Sequence, residues 1–173
     1  MLDAVLAAPH DDAPRLIYAN WLQQRGNPRG DFIKVQIALA NAPDEAATKA
    51  LRLQEANLLE DHEVEWLSAV GLTRTCDVVH FARGFIDTVS FESLDSFAHA
   101  QERVWADTPI SGMFFAGLGA DDAFVRELVD SPRMRRLGRL GVEENDLGPD
   151  AARAIAASPH LRELRELWIG DNE

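Results

Sequence analysis

A chain of 173 residues with 46% apolar side chains has room for one domain, or one small domain with an appendage, and enough apolar material for a core. Its 29 acidic against 17 basic side chains leave a net charge of −12, which argues against a nucleic acid or an anionic membrane as partner, because phosphate binding needs concentrated Lys and Arg. The lone cysteine, Cys76, excludes an intrachain disulfide and a cysteine metal cluster, and it reads as a small core residue.

Met1 to Ala8 has no basic lead and carries Asp3, unlike a secretory signal, and no stretch approaches the ~20 apolar residues of a membrane span. A cytoplasmic protein is expected. Asp11 and Asp12 then suit a helix N-cap, and Pro14 falls where the first turn tolerates it. Leu16, Ile17, Ala19, Trp21 and Leu22 make an apolar stripe at helical spacing, closed by Gly26 and the turn Asn27-Pro28-Arg29-Gly30. Asp31 is expected to cap the next helix, with Phe32, Ile33, Val35, Ile37 and Leu39 largely inside. Asn41-Ala42-Pro43-Asp44 breaks the chain again. A long helical stretch follows with Leu51, Leu53, Leu58, Leu59, Val64, Trp66 and Leu67, and its surplus of acids reads as a solvated face. After Gly71 the pattern turns to strand, Cys76 to Phe81 and Phe85 to Phe91, joined by a turn at Arg83-Gly84.

The organising feature comes later. Leu137-x-x-Leu140-x-Val142-x-x-Asn145 matches Leu164-x-x-Leu167-x-Ile169-x-x-Asn172 at an offset of 27 residues, as Ser131-Pro132 matches Ser158-Pro159. One step earlier stand Ile110, Met113 and Phe115, with Leu118 in the asparagine's place, and 24 residues before those stand Ile86, Val89 and Phe91. Self-similarity at this period marks stacked units that cannot bury their apolar face alone. Each unit holds a short strand with alternating inward residues and a helix such as the alanine-rich Ala151 to Ala156. The asparagine amide is expected to satisfy backbone groups where the strand turns away.

From Ile110 to Asn172 these residues resemble the leucine-rich-repeat family, in the longer subtype with a helix in every repeat, as in ribonuclease inhibitor. The resemblance implies a curved parallel sheet with outer helices. A second resemblance covers Asp11-Asp12-Ala13-Pro14-Arg15-Leu16-Ile17-Tyr18-Ala19-Asn20-Trp21-Leu22 and continues through Gly26-Asn27-Pro28-Arg29-Gly30-Asp31-Phe32-Ile33. It is similar to the bacterial repeat-companion domain, which often precedes leucine-rich repeats, and departs from that family's pattern at Asn20 and Asn27, where aspartate is usual. The resemblance implies no known activity.

The chemistry-bearing residues are few. His10-Asp11-Asp12 reads as a helix start rather than a metal site, because adjacent residues rarely converge on one ion. Arg15 and Arg29 are expected to tie the helices together by pairing with local carboxylates, with Trp21 packed beneath. Gly117-Leu118-Gly119-Ala120 reads as a turn, with Asp121-Asp122 capping the helix after it. No phosphate loop, zinc-ligand pair or nucleophile elbow occurs, and His10, His62, His80, His99 and His160 lack ligand spacing. No enzyme, metal or cofactor is expected.

Strand residues between the buried ones must face away from the core. They are Gly112, Phe114 and Ala116, then Arg139, Gly141 and Glu143, then Glu166, Trp168 and Gly170. Phe114 and Trp168 flanking a gap at Gly141 resemble an interface anchor, and Arg139 and Glu166 stand side by side as a candidate pair. Phe114, Arg139, Gly141, Glu143, Glu166 and Trp168 are therefore the candidate partner-binding residues.

The expectation is an α/β solenoid: a helical cap over residues 1–71, then a strand pair and repeats over residues 72–173. It is a non-catalytic module binding a protein or peptide through its concave face or its open C-terminal edge, where a second copy could also pair. The alternatives are a regulator of a small GTPase, by analogy of fold alone, and a structural module of a longer protein.

Overall fold

The computed structural model describes residues 1–73 and 78–172. Cys76 and the start of the strand expected there lie outside the described residues, as does Glu173.

Four helices come first: α1 (Leu2–Ala7), α2 (Asp12–Gln23), α3 (Arg29–Ala40) and α4 (Glu45–Ala69). Asp11 caps α2 by accepting the Ala13 N–H at 2.9 Å, and Asp44 caps α4 through Ala47 N–H at 2.8 Å. Asp31 is not a cap. Asn27 Oδ1 takes the Arg29 N–H, Pro28 holds the N-cap position, and Asp31 lies in the first turn, where its charge still favours the helix dipole. The inner face of α2 also differs from the expected stripe. Arg15, Ala19 and Leu22 are buried, while Leu16 and Ile17 are 38% and 58% exposed. Spacing alone admitted both faces; packing against α3 selected one. In α3 Phe32, Ile33 and Ile37 are buried, with Val35 and Leu39 only partly so. The long α4 buries Trp66 and Leu67 near its C-terminus and leaves Leu53 and Val64 exposed.

The strands β1 (Val78–Ala82) and β2 (Phe85–Ser90) form an antiparallel hairpin. Its turn is Arg83-Gly84, both at positive φ (51° and 84°), the backbone twist that two-residue hairpins favour. A side chain at Gly84 would meet Ile33 Cγ1 at 2.2 Å, so α3 lies directly on the turn.

Helices then alternate with strands: α5 (Leu94–Asp107), β3 (Gly112–Phe114), α6 (Asp122–Asp130), β4 (Arg139–Gly141), α7 (Pro149–Ala157) and β5 (Glu166–Trp168). Helix α5 lies between the expected strand pair and the first repeat strand, where no helix was expected. Its start is a capping box of Ser93 and Ser96, in which serine replaces the usual Glu or Gln at the third position. Asp121 caps α6 through Phe124 N–H at 2.8 Å.

The described chain is thus α/β, with one five-stranded sheet in sequential order, parallel at every pairing after the hairpin. Gly112 pairs with Arg139 and Arg139 with Glu166, so the 27-residue offset in the sequence is also the register of the sheet. The 24-residue offset likewise pairs Val89 with Met113.

One apolar core runs from Phe32, Trp66 and Leu67 through Ile86, Val89, Met113 and Leu140 to Ala151 and Ile155. Segments 1–71 and 72–173 therefore share a core. A smaller cluster of Val5, Ala19, Leu22, Ile33 and Ile37 closes on Phe85 of the hairpin.

Candidate interaction surface

Asn145 anchors the strand layer. It is buried, and its Oδ1 accepts the N–H groups of Leu118 (3.0 Å) and Ala120 (2.9 Å). Its Nδ2 donates to the carbonyls of Phe115 (2.8 Å), Val142 (3.1 Å) and Glu143 (2.9 Å). One side chain thereby satisfies backbone groups on two neighbouring loops that would be costly if orphaned. Asn172 repeats the arrangement one step on, accepting from Asn145 N–H at 2.9 Å and donating to Val142 O and Ile169 O at 3.0 and 2.9 Å.

With that layer held, alternation points Met113, Leu140 and Leu167 toward the helices and the residues beside them outward. Phe114, Gly141 and Trp168 pair directly across β3, β4 and β5. The expected gap at Gly141 is filled. The Phe114 and Trp168 rings meet over it, with centroids 5.3 Å apart and planes tilted by 57°. A Cβ at Gly141 would stand 2.5 Å from Phe114 Cδ1 and 2.8 Å from Glu143 Oε2. The glycine is needed for close approach, and the two rings form one patch, with Trp168 39% exposed. Glu143 borders the patch half-buried, and its Oε2 is buried without a hydrogen-bond partner.

The row beside it departs from expectation. Arg139 does not pair with Glu166, which is exposed and makes no ion pair among the described residues. Arg139 Nη2 instead reaches back across Gly112 to Asp87 Oδ2 at 2.5 Å and Ser111 Oγ at 2.8 Å, while Ser111 Oγ donates to Asp87 Oδ1 at 2.7 Å. Gly112 opens that lane, since a Cβ there would lie 3.2 Å from Arg139 Cβ. Asp87 and Ser111 were missed in the sequence, although the glycine aligned with Arg139 was the available signal.

Arg15 and Arg29 donate to carbonyls rather than to the local carboxylates expected. Arg15 donates to Arg83 O (3.1 Å) and Pro9 O (2.7 Å), and Arg29 Nε donates to Gly84 O (2.7 Å). Gln36 completes the grip, accepting Gly84 N–H at 2.6 Å and donating to Phe81 O at 3.3 Å. Burial draws both guanidinium pKa values down to about 10. Arg29 recovers part of that cost against ring faces, 4.7 Å from Trp66 and 5.5 Å from Phe81. Trp21 stacks on Tyr18 at 5.8 Å and carries the Arg25 guanidinium 4.0 Å above its ring. Arg15 and Arg29 were expected to tie the cap's helices to one another; they bind those helices to the hairpin turn instead.

Among the described residues no group of three His, Cys, Asp or Glu is placed to hold a metal ion, and no helix is long and apolar enough to cross a membrane. The surface therefore consists of an aromatic patch on a sheet face, bordered by carboxylates and by the Arg139 network. No family profile, curated protein or solved structure matches this chain.

Proposed function

We propose that this chain is a non-catalytic interaction module, a repeat-companion-like helical cap followed by a short leucine-rich-repeat solenoid. It receives a protein or peptide on the sheet face that carries Phe114, Gly141 and Trp168. The observation behind this reading is the Phe114–Trp168 pair, Phe114 partly buried and Trp168 exposed, closed over a glycine that admits no side chain. Paired aromatics on a rigid strand layer offer contact area with little rotamer entropy to lose, which is what interface anchors need. The family reading is supported by the 27-residue register and by the Asn145 and Asn172 bonds between neighbouring loops. The test is affinity capture with the wild-type chain and the Phe114→Ala/Trp168→Ala variant, read by mass spectrometry. A specific protein held by the wild type and lost from the variant is the expected result. Identical captured sets from both would overturn the reading.

A second form of the interaction places a second copy of the chain on the edge of β5 opposite β4. It is favoured by Leu167, which is 41% exposed, whereas its register partner Leu140 is fully buried. Light scattering over a dilution series would show a dimer. A monomer at every concentration removes this form.

A further inference from the structure

The chain is acidic overall, yet the cavity beside the N-terminal ends of β3, β4 and β5 has the opposite sign. It encloses about 420 Å³, and its charged lining is Arg135, Arg136, Arg139 and Arg165 against Glu163 and Glu166. His10 and Ser111 add neutral polar groups. A smaller cavity of about 50 Å³ shares His10, Ser111 and Arg136 with it and extends to Arg15.

These guanidinium groups are underused. Arg139 is committed to Asp87 and Ser111. Among the described residues Arg135 Nε donates only to the ring nitrogen His160 Nδ1, at 3.2 Å. Arg136 donates to Trp105 O at 2.7 Å, and burial lowers its pKa. Arg165 has no side-chain partner among the described residues, although Glu163 and Glu166 line the same cavity. Arg15, which lines the smaller cavity, is 4% exposed, and its Nε has no acceptor among the described residues. Donors and positive charge are in excess where space is left, and a planar guanidinium fork matches an oxyanion in shape as well as charge.

We infer that this cavity binds a phosphoryl group, carried by a small phosphorylated molecule or by a phosphorylated side chain of another protein. The two rim carboxylates repel an extended polyanion and leave room for a compact one. The inference stands apart from the aromatic patch, because it rests on Arg135, Arg136, Arg165 and Arg15.

The test is calorimetric titration of the full chain with inorganic phosphate, pyrophosphate and a phosphoserine peptide. The proteins compared are the wild type, Arg135→Ala/Arg165→Ala, and Arg153→Ala as a control whose side chain pairs with Asp150 on α7. Saturable binding to the wild type is expected, weakened at least about tenfold in the double variant and unchanged in the control. Tighter pyrophosphate binding would assign the site to a small molecule, and tighter peptide binding to a protein side chain; both support it. Absence of saturable binding of all three probes at about 10 mM would overturn it. Equal weakening by Arg153→Ala would do the same, since that is the signature of general charge attraction. Circular dichroism checks that the double variant is folded, which Arg165's lack of partners favours.

Discussion

The same short pattern occupies β4 and β5 and meets two different environments. Leu137, Leu140, Val142 and Asn145 are all buried, whereas Leu167, in the position of Leu140, is 41% exposed, and Leu164 and Ile169 are only partly covered. The residues are nearly identical in type. What differs is that, among the described residues, β4 has a strand on each side and β5 has one. Burial in a stacked unit is therefore a property of its neighbours as much as of its own sequence.

That contrast can be broken at several points. Leu140→Ala should remove about 3 kcal/mol of stability in a urea titration, because a filled interior site loses both transfer energy and packing. Leu167→Ala should cost about 1 kcal/mol or less, and equal losses would mean β5 is covered in solution. Asn145→Ala removes the side-chain acceptor of two N–H groups and one donor from each of three carbonyls, of which Val142 O keeps Asn172 and Glu143 O keeps Gly117 N–H, and should cost about 2–3 kcal/mol, against about 1 kcal/mol for the more exposed Asn172→Ala. Gly141→Ala should cost about 1–2 kcal/mol by forcing Phe114 aside, with a change in the near-ultraviolet circular dichroism of the Phe114–Trp168 pair. The smallest effect on folding is expected from Trp168→Ala, within about 0.5–1 kcal/mol. A larger loss there would show that the ring supports the sheet rather than standing ready for a partner.

Legibility followed the range of the interactions. The Arg83-Gly84 turn, the caps at Asp11 and Asp121, and the 27-residue offset could all be read from residue types a few positions apart or from a repeated spacing. Asn145 was legible because its partners recur with the period. Arg15 and Arg29 were marked as ties, but their acceptors are carbonyls 68 and 55 residues away, and backbone groups carry no residue identity to find them by. Arg139 was assigned to its neighbour Glu166 by row, whereas the open lane over Gly112 led it to Asp87, 52 residues earlier.

The sequence by itself determined the α/β alternation, the strand register and the rows of side chains that face outward, because periodicity dictates which residues share a face. Only the tertiary structure decided which face of α2 turned inward, that the gap at Gly141 was closed by two rings, and that arginines of the strand-entry loops gathered around one cavity. Those outcomes depend on volume and on unpaired donors and acceptors brought together from distant segments, and such quantities come into being when the chain is packed.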